Sequence, residues 1–219
     1  MSREKYQRNL EILRSNVLEM AETSLCMLQN ATESLNKLDK DLARETIAMD
    51  EIVDEHEMTV DKSVSTLIAL QQPIAGDMRL ITSCLTMAID LERLSDLACN
   101  MAWVTLEIEG ERADVEPLIS RISMMSDIAQ KMLEDAVVAF KSSDAELAKK
   151  VTAEDDKLDR LFFENEKEYI ELMIKDPSLI NNASHLLFVL RYLERIGDHI
   201  CNICQSIVYL ITAERVRLN

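Results

Sequence analysis

Two segments of this 219-residue chain read almost alike, 102 positions apart. Asp90-Leu91-Glu92-Arg93-Leu94-Ser95-Asp96 is followed by Asn100, and Tyr192-Leu193-Glu194-Arg195-Ile196-Gly197-Asp198 by Asn202. Both spell Leu-Glu-Arg-apolar-small-Asp with Asn four residues on. Each is preceded by an acidic pair at i,i+4: Asp50 and Asp54 in the first half, Asp155 and Asp159 in the second. A chain that repeats so specific a pattern builds one structural unit twice. The expected division is residues 1–110 and 111–219.

The unit is helical. Three Gly, three Pro and 4% aromatic residues leave too little turn chemistry and too few strand formers for a sheet protein. Breaks fall near Lys40-Asp41, Gln72-Pro73, Gly110 to Pro117, Ser142-Ser143-Asp144 and Asp176-Pro177. Between them lie six stretches with apolar residues at helical spacing, such as Ile81, Leu85, Ala88, Leu91, Leu94 and Ala98 in the third, and Val189, Leu193, Ile196 and Ile200 in the sixth. Pro117 suits the first turn of the fourth helix, and Ser143 or Asp144 the N-cap of the fifth. The expected fold is all-α: two repeated three-helix bundles.

Charge narrows the partners. With 24 basic and 40 acidic residues the formal charge is −16 and no Lys/Arg cluster interrupts it, which excludes nucleic acid as a partner. The start, Met1-Ser2-Arg3-Glu4-Lys5, lacks a signal-peptide core, and no uncharged run reaches the length of a membrane span, so a cytoplasmic protein is expected. The five cysteines sit mostly in apolar helical patterns, where reduced thiols pack as small hydrophobes. Cys201-Asn202-Ile203-Cys204 has C-x-x-C spacing but no second pair, and reads as core.

The short connection at Pro73 makes the second and third stretches antiparallel, so residues with a common number sum share one height. Asp50/Asp96 and Asp54/Glu92 both total 146; Asp155/Asp198 and Asp159/Glu194 both total 353, whose midpoint falls at Asp176-Pro177. Residues four apart are about 6 Å apart along a helix, and packed helices sit about 8–10 Å apart, so in each half four carboxylates converge. Gathered like charges are unfavourable. A hard cation ligated by oxygen offsets them: Mg, Ca or Mn, with iron or zinc accepting the same donors. The competing reading is two solvated acidic faces, with Arg93 and Arg195 in exposed salt bridges. Asn100 and Asn202 continue the stripe, with interhelical hydrogen bonding the expected role. His56 and His199 lie beside the stripes, and His185 sits among apolar residues. No Glu-x-x-His, Gly-rich phosphate loop, nucleophile elbow or zinc-protease helix occurs, so no catalytic set and no organic cofactor is expected. The alternatives are a metal-dependent helical-bundle enzyme or metal-binding scaffold using the same carboxylates, or a metal-free scaffold whose acidic faces meet basic partners.

The doubled Leu-Glu-Arg segments, the linker Gln71-Gln72-Pro73-Ile74-Ala75-Gly76-Asp77-Met78-Arg79 and Asp50-Glu51-Ile52-Val53-Asp54 resemble the PhoU family of phosphate-transport regulators over essentially the whole chain. The resemblance implies paired three-helix bundles, a cytoplasmic homodimer, and surface metal clusters held by repeated E/D-x-x-x-D motifs. The ligands it implies here are Asp50, Asp54, Glu92 and Asp96, and Asp155, Asp159, Glu194 and Asp198. Gly197 and His199 match the family, whereas Ser95 and Leu97 depart from it. It further implies a non-enzymatic negative regulator coupling a phosphate ABC transporter to a sensor histidine kinase, associated with the membrane only through those partners.

Overall fold

The computed structural model describes residues 3–215, the side chain of Gln71 excepted; Met1 and Ser2, at the start of the segment expected to lack a signal-peptide core, lie outside them. The described residues form α1 (Arg3–Lys37), α2 (Lys40–Ala48), α3 (Asp50–Gln71), α4 (Ala75–Glu107), α5 (Arg112–Ser142), α6 (Ala145–Lys175) and α7 (Ile180–Thr212), with one turn of 3-10 helix at Pro177–Leu179. No strand occurs among them. The second of the six expected stretches is thus divided at Met49. The division is local, because Met49 keeps α-helical dihedrals, its N–H donates to the Glu45 carbonyl, and the Val53 N–H donates to the Met49 carbonyl.

Local chemistry sets the ends. α1 stops where Leu38 turns left-handed at φ 52°, and Asp39 then caps α2 by accepting from the Asp41 and Leu42 N–H groups. Ser143 takes the left-handed position after α5, which leaves Asp144 as the cap of α6. α5 departs from expectation. It begins at Arg112, held by the Glu111 N–H donating to Asp114 Oδ2 at 2.9 Å, so Pro117 lies inside the helix and not in its first turn. The capping box of Glu111 with Asp114, three residues on, starts the helix before proline can.

Each half is a three-helix unit, α1 with α2–α3 and α4, then α5 with α6 and α7. The most extensive helix pairing is between halves, where α4 meets α7. Asp90 contacts His199 and Asn202, while Thr82 and Ser83 share a pocket with Tyr209, so these two helices run antiparallel. Leu18 of α1, Met87 and Leu91 of α4, Leu133 of α5 and Ile203 of α7 surround a single void of about 10 Å³. The apolar core is therefore continuous through both halves. No described helix is long and apolar enough to cross a membrane.

Candidate functional site: two carboxylate clusters

The antiparallel pairing of α3 with α4 brings Asp50 and Asp54 against Glu92 and Asp96. Asp50 opens α3 and is half-buried. Its carboxyl lies above the ordinary range, first because it is partly removed from water and then because the Asp96 and Asp54 carboxylates face it. Glu92 is raised by burial, then by Asp96, and to a lesser extent by Glu57 and Asp54; the Arg93 guanidinium opposes this. Arg93 spans the cluster, with Nε 3.3 Å from Glu92 Oε2 and Nη1 3.4 Å from Asp96 Oδ2.

α6 and α7 assemble the second set. Asp159 is raised by burial and then by Asp198 and Asp156. Glu194 is raised by burial and by Asp198 and Asp159, against the pull of Arg191, whose Nη1 is 2.8 Å from Glu194 Oε1. Arg191, one turn before the expected Arg195, makes this ion pair, with its guanidinium over the Phe162 ring. Asp155 lies deeper, only 4% exposed, and packs against Gly197. A Cβ at 197 would stand 2.3 Å from Asp155 Oδ1 and 2.7 Å from Leu158 Cδ2, so glycine is what admits this carboxylate. In the first half Ser95 fills the equivalent place, its hydroxyl 2.9 Å from that of Ser24. Asp155, Asp198 and Cys201 line a cleft of about 530 Å³ together with Arg93 and Arg195.

Both clusters have a thiol beside them, Cys99 and Cys201, each buried in the apolar core as expected. Cys99, near Asp50 and Asp96, is pushed up to about 11, chiefly by burial. Cys201 is hydrogen-bonded to Asp155 and pushed up further by burial and then by that carboxylate. Both motif copies place Cys three residues after Asp. All five cysteines are free; Cys204 is buried as expected, and Cys26 is exposed. Asp90 was missed as a polar centre. It stands where the second copy has Tyr192, and its Oδ1 lies 2.9 Å from His199 Nδ1 and accepts from Asn202 Nδ2 at 3.2 Å. His199 and Asn202 thus serve the seam between the halves, Asn202 in the interhelical bond expected of it. His56 and His185 are half-buried.

The donors suit a cation. They are carboxylates, partly desolvated at Asp50, Glu92, Asp159 and Glu194 and exposed at Asp54 and Asp198, and Glu194 Oε2 is buried without a hydrogen-bond partner. Among the described residues no three His, Cys, Asp or Glu side chains are already drawn onto one centre, so ligation requires carboxylates to rotate inward. Unneutralised charges at this spacing favour that splayed arrangement.

These features define a class: an all-α protein of two pseudo-repeated three-helix bundles, each presenting a four-carboxylate cluster where two antiparallel helices meet. The chain belongs to the PhoU family, whose PhoU domain model matches it twice, at residues 17–105 and 122–207. It is 34% identical over 220 residues to the phosphate-specific transport system accessory protein PhoU homolog of Clostridium acetobutylicum, covering 100% of both chains. Its identity to the Aquifex aeolicus homolog of the same description is 37%, over 97% of this chain and 96% of the relative. The crystal structure of the phosphate transport system regulatory protein PhoU from Streptococcus pneumoniae superposes with a TM-score of 0.87 at 27% identity, covering 96% of this chain and 99% of that one. PhoU from Pseudomonas aeruginosa gives 0.83 at 30% identity, covering 95% and 100%.

Proposed function

We propose that this protein is a non-catalytic regulator of phosphate homeostasis, restraining phosphate uptake and the phosphate-starvation response by coupling a phosphate ABC transporter to a sensor histidine kinase. The observation that carries the reading is likeness over the full chain to accessory proteins of phosphate-specific transport systems. Long helical faces suit an adaptor. In this reading it works in the cytoplasm as a homodimer, docked at the inner face of the membrane through its partners. Its two repeats are residues 1–110 and 111–219.

The clusters Asp50, Asp54, Glu92, Asp96 and Asp155, Asp159, Glu194, Asp198 hold metal cations in this proposal, iron or zinc, with Mg, Ca or Mn as the alternatives. A bound cation supplies charge neutralisation, tying α3 to α4 and α6 to α7. Deletion of the gene, complemented by wild type or by Asp54→Ala/Glu92→Ala and Asp159→Ala/Glu194→Ala, tests both parts. Expected outcomes are uptake and starvation-gene expression released from phosphate control in the deletion, co-purification of wild type with transporter and kinase, and about half the bound metal in each double variant. Unchanged uptake and no partner in the pull-down would refute the regulator. Metal-free, folded wild-type protein purified without chelator would refute the cation sites.

A further inference from the structure

A cavity along the α4–α7 seam lies apart from the carboxylate ligands. It has a volume of about 600 Å³ and is lined by Ser83, Thr86 and Asp90 of α4, Tyr209 and Asn202 of α7, and Arg215 beyond α7. That is within the usual size range of small-molecule sites. Its hydrogen-bonding groups are not all spent. Thr82 and Thr86 donate to backbone carbonyls one turn back, at 2.8 and 3.1 Å. Ser83 is the exception: only 2% exposed, its Oγ has no hydrogen-bond partner, and the Arg79 carbonyl it would ordinarily use is 3.3 Å from Thr82 Oγ1.

One turn before Ser83, on the same face of α4, Arg79 Nε is also buried without a hydrogen-bond partner. Arg215 holds its guanidinium over the Tyr209 ring, 5.2 Å from the centroid. Neither arginine forms a salt bridge among the described residues, in a chain with 40 acidic groups to 24 basic ones. One end of the seam therefore holds two unpaired donors, Ser83 Oγ in the cavity wall and Arg79 Nε one turn before it, with Tyr209 and the exposed Arg215 lining the cavity beside Ser83. The other end is Asp90, seven positions along α4 from Ser83, or about 10 Å at the rise of a helix. Buried donors left unpaired are costly, and a ligand oxyanion satisfies them.

We propose that this seam pocket binds a small organic oxyanion, its phosphate-ester or carboxylate head on Arg79, Ser83 and Arg215 and a hydroxyl or ammonium group directed to Asp90. The proposal stands independently of the phosphate-regulator reading and of metal in the clusters.

Isothermal titration of the full chain with O-phospho-L-serine, glycerol 3-phosphate, L-glutamate, inorganic phosphate and glycerol, with and without chelator, tests it. The expected result is saturable binding of at least one organic oxyanion, stronger than of inorganic phosphate and absent for glycerol. Ser83→Ala should weaken it about tenfold, as loss of one hydrogen bond to a charged group does. Arg79→Gln/Arg215→Gln should remove it, and Asp90→Asn should weaken the ammonium-bearing probes more than glycerol 3-phosphate. Arg215→Gln and Ser83→Ala keep the test valid if the Arg79 change prevents folding. Binding of inorganic phosphate alone, binding of none of the probes, or binding that survives Arg79→Gln/Arg215→Gln but is lost with chelator or in Asp159→Asn/Glu194→Gln would each overturn it, the last by placing the anion on the carboxylate clusters.

Discussion

At residue scale the two halves differ where Gly197 stands in one and Ser95 in the other. The sequence displays the difference; the reason is the approach of Asp155 and Leu158 to the glycine backbone. Gly197→Ser should therefore cost about 1–3 kcal/mol by overpacking, read as a lower urea midpoint with unchanged slope, and should push Asp155 out of its buried seat. Ser95→Gly should cost about 1–2 kcal/mol for a different cause, loss of the Ser95–Ser24 bond and a glycine inside a helix. Equal costs from equal causes would mean the halves are packed alike. The same scale explains the arginine exchange at Glu194. Arg195 is adjacent to Glu194 in sequence, but Arg191 stands three residues before it on the same helix face and is steadied by the Phe162 ring.

At the scale of elements, each acidic stripe lies on one face of its helix, and antiparallel packing doubles it. Asp50, Glu92, Asp159 and Glu194 are all raised above the ordinary values of 3.8 for Asp and 4.5 for Glu. Between those values and the raised ones the folded state holds more protons than the unfolded chain, so stability falls as pH rises through that window. The metal-free protein should thus gain thermal stability as pH is lowered through the raised values toward the ordinary ones, and Asp54→Asn/Glu92→Gln should flatten that dependence. Added cation should give neutral-pH protein the same gain, since it binds the folded carboxylates and not the dispersed ones. Scanning calorimetry across pH, with and without metal, checks the sign; a metal-free Tm that rises with pH over this range would contradict it. Element boundaries were legible where side chains set them, as at Asp144. They were misread at Pro117, because the acidic cap at Glu111 and Asp114 starts α5 earlier.

At the scale of the whole molecule the repeats share one core through α4 and α7, with Asp90 bridging to His199 and Asn202. The two halves should accordingly unfold in one transition. Fluorescence of Trp103, the single tryptophan, which lies in α4, and far-UV circular dichroism of all the helices should give coincident curves. Asp90→Ala should lower both curves together by about 1–3 kcal/mol, because it leaves two polar partners at the seam without their acceptor. Two resolved transitions would show that each repeat is a separate folding unit.

By itself the sequence determined the helical class, the twofold repeat and the heights at which eight carboxylates stand, because breaker residues, apolar spacing and antiparallel register are local or nearly local properties of a chain. Only the tertiary structure decided how α4 lies on α7. That packing chose Asp90 over Tyr192 as the polar bridge and left Ser83 and Arg79 with unspent donors. Contacts between residues a hundred positions apart depend on how two finished helices interlock, and no periodicity within either helix encodes that fit.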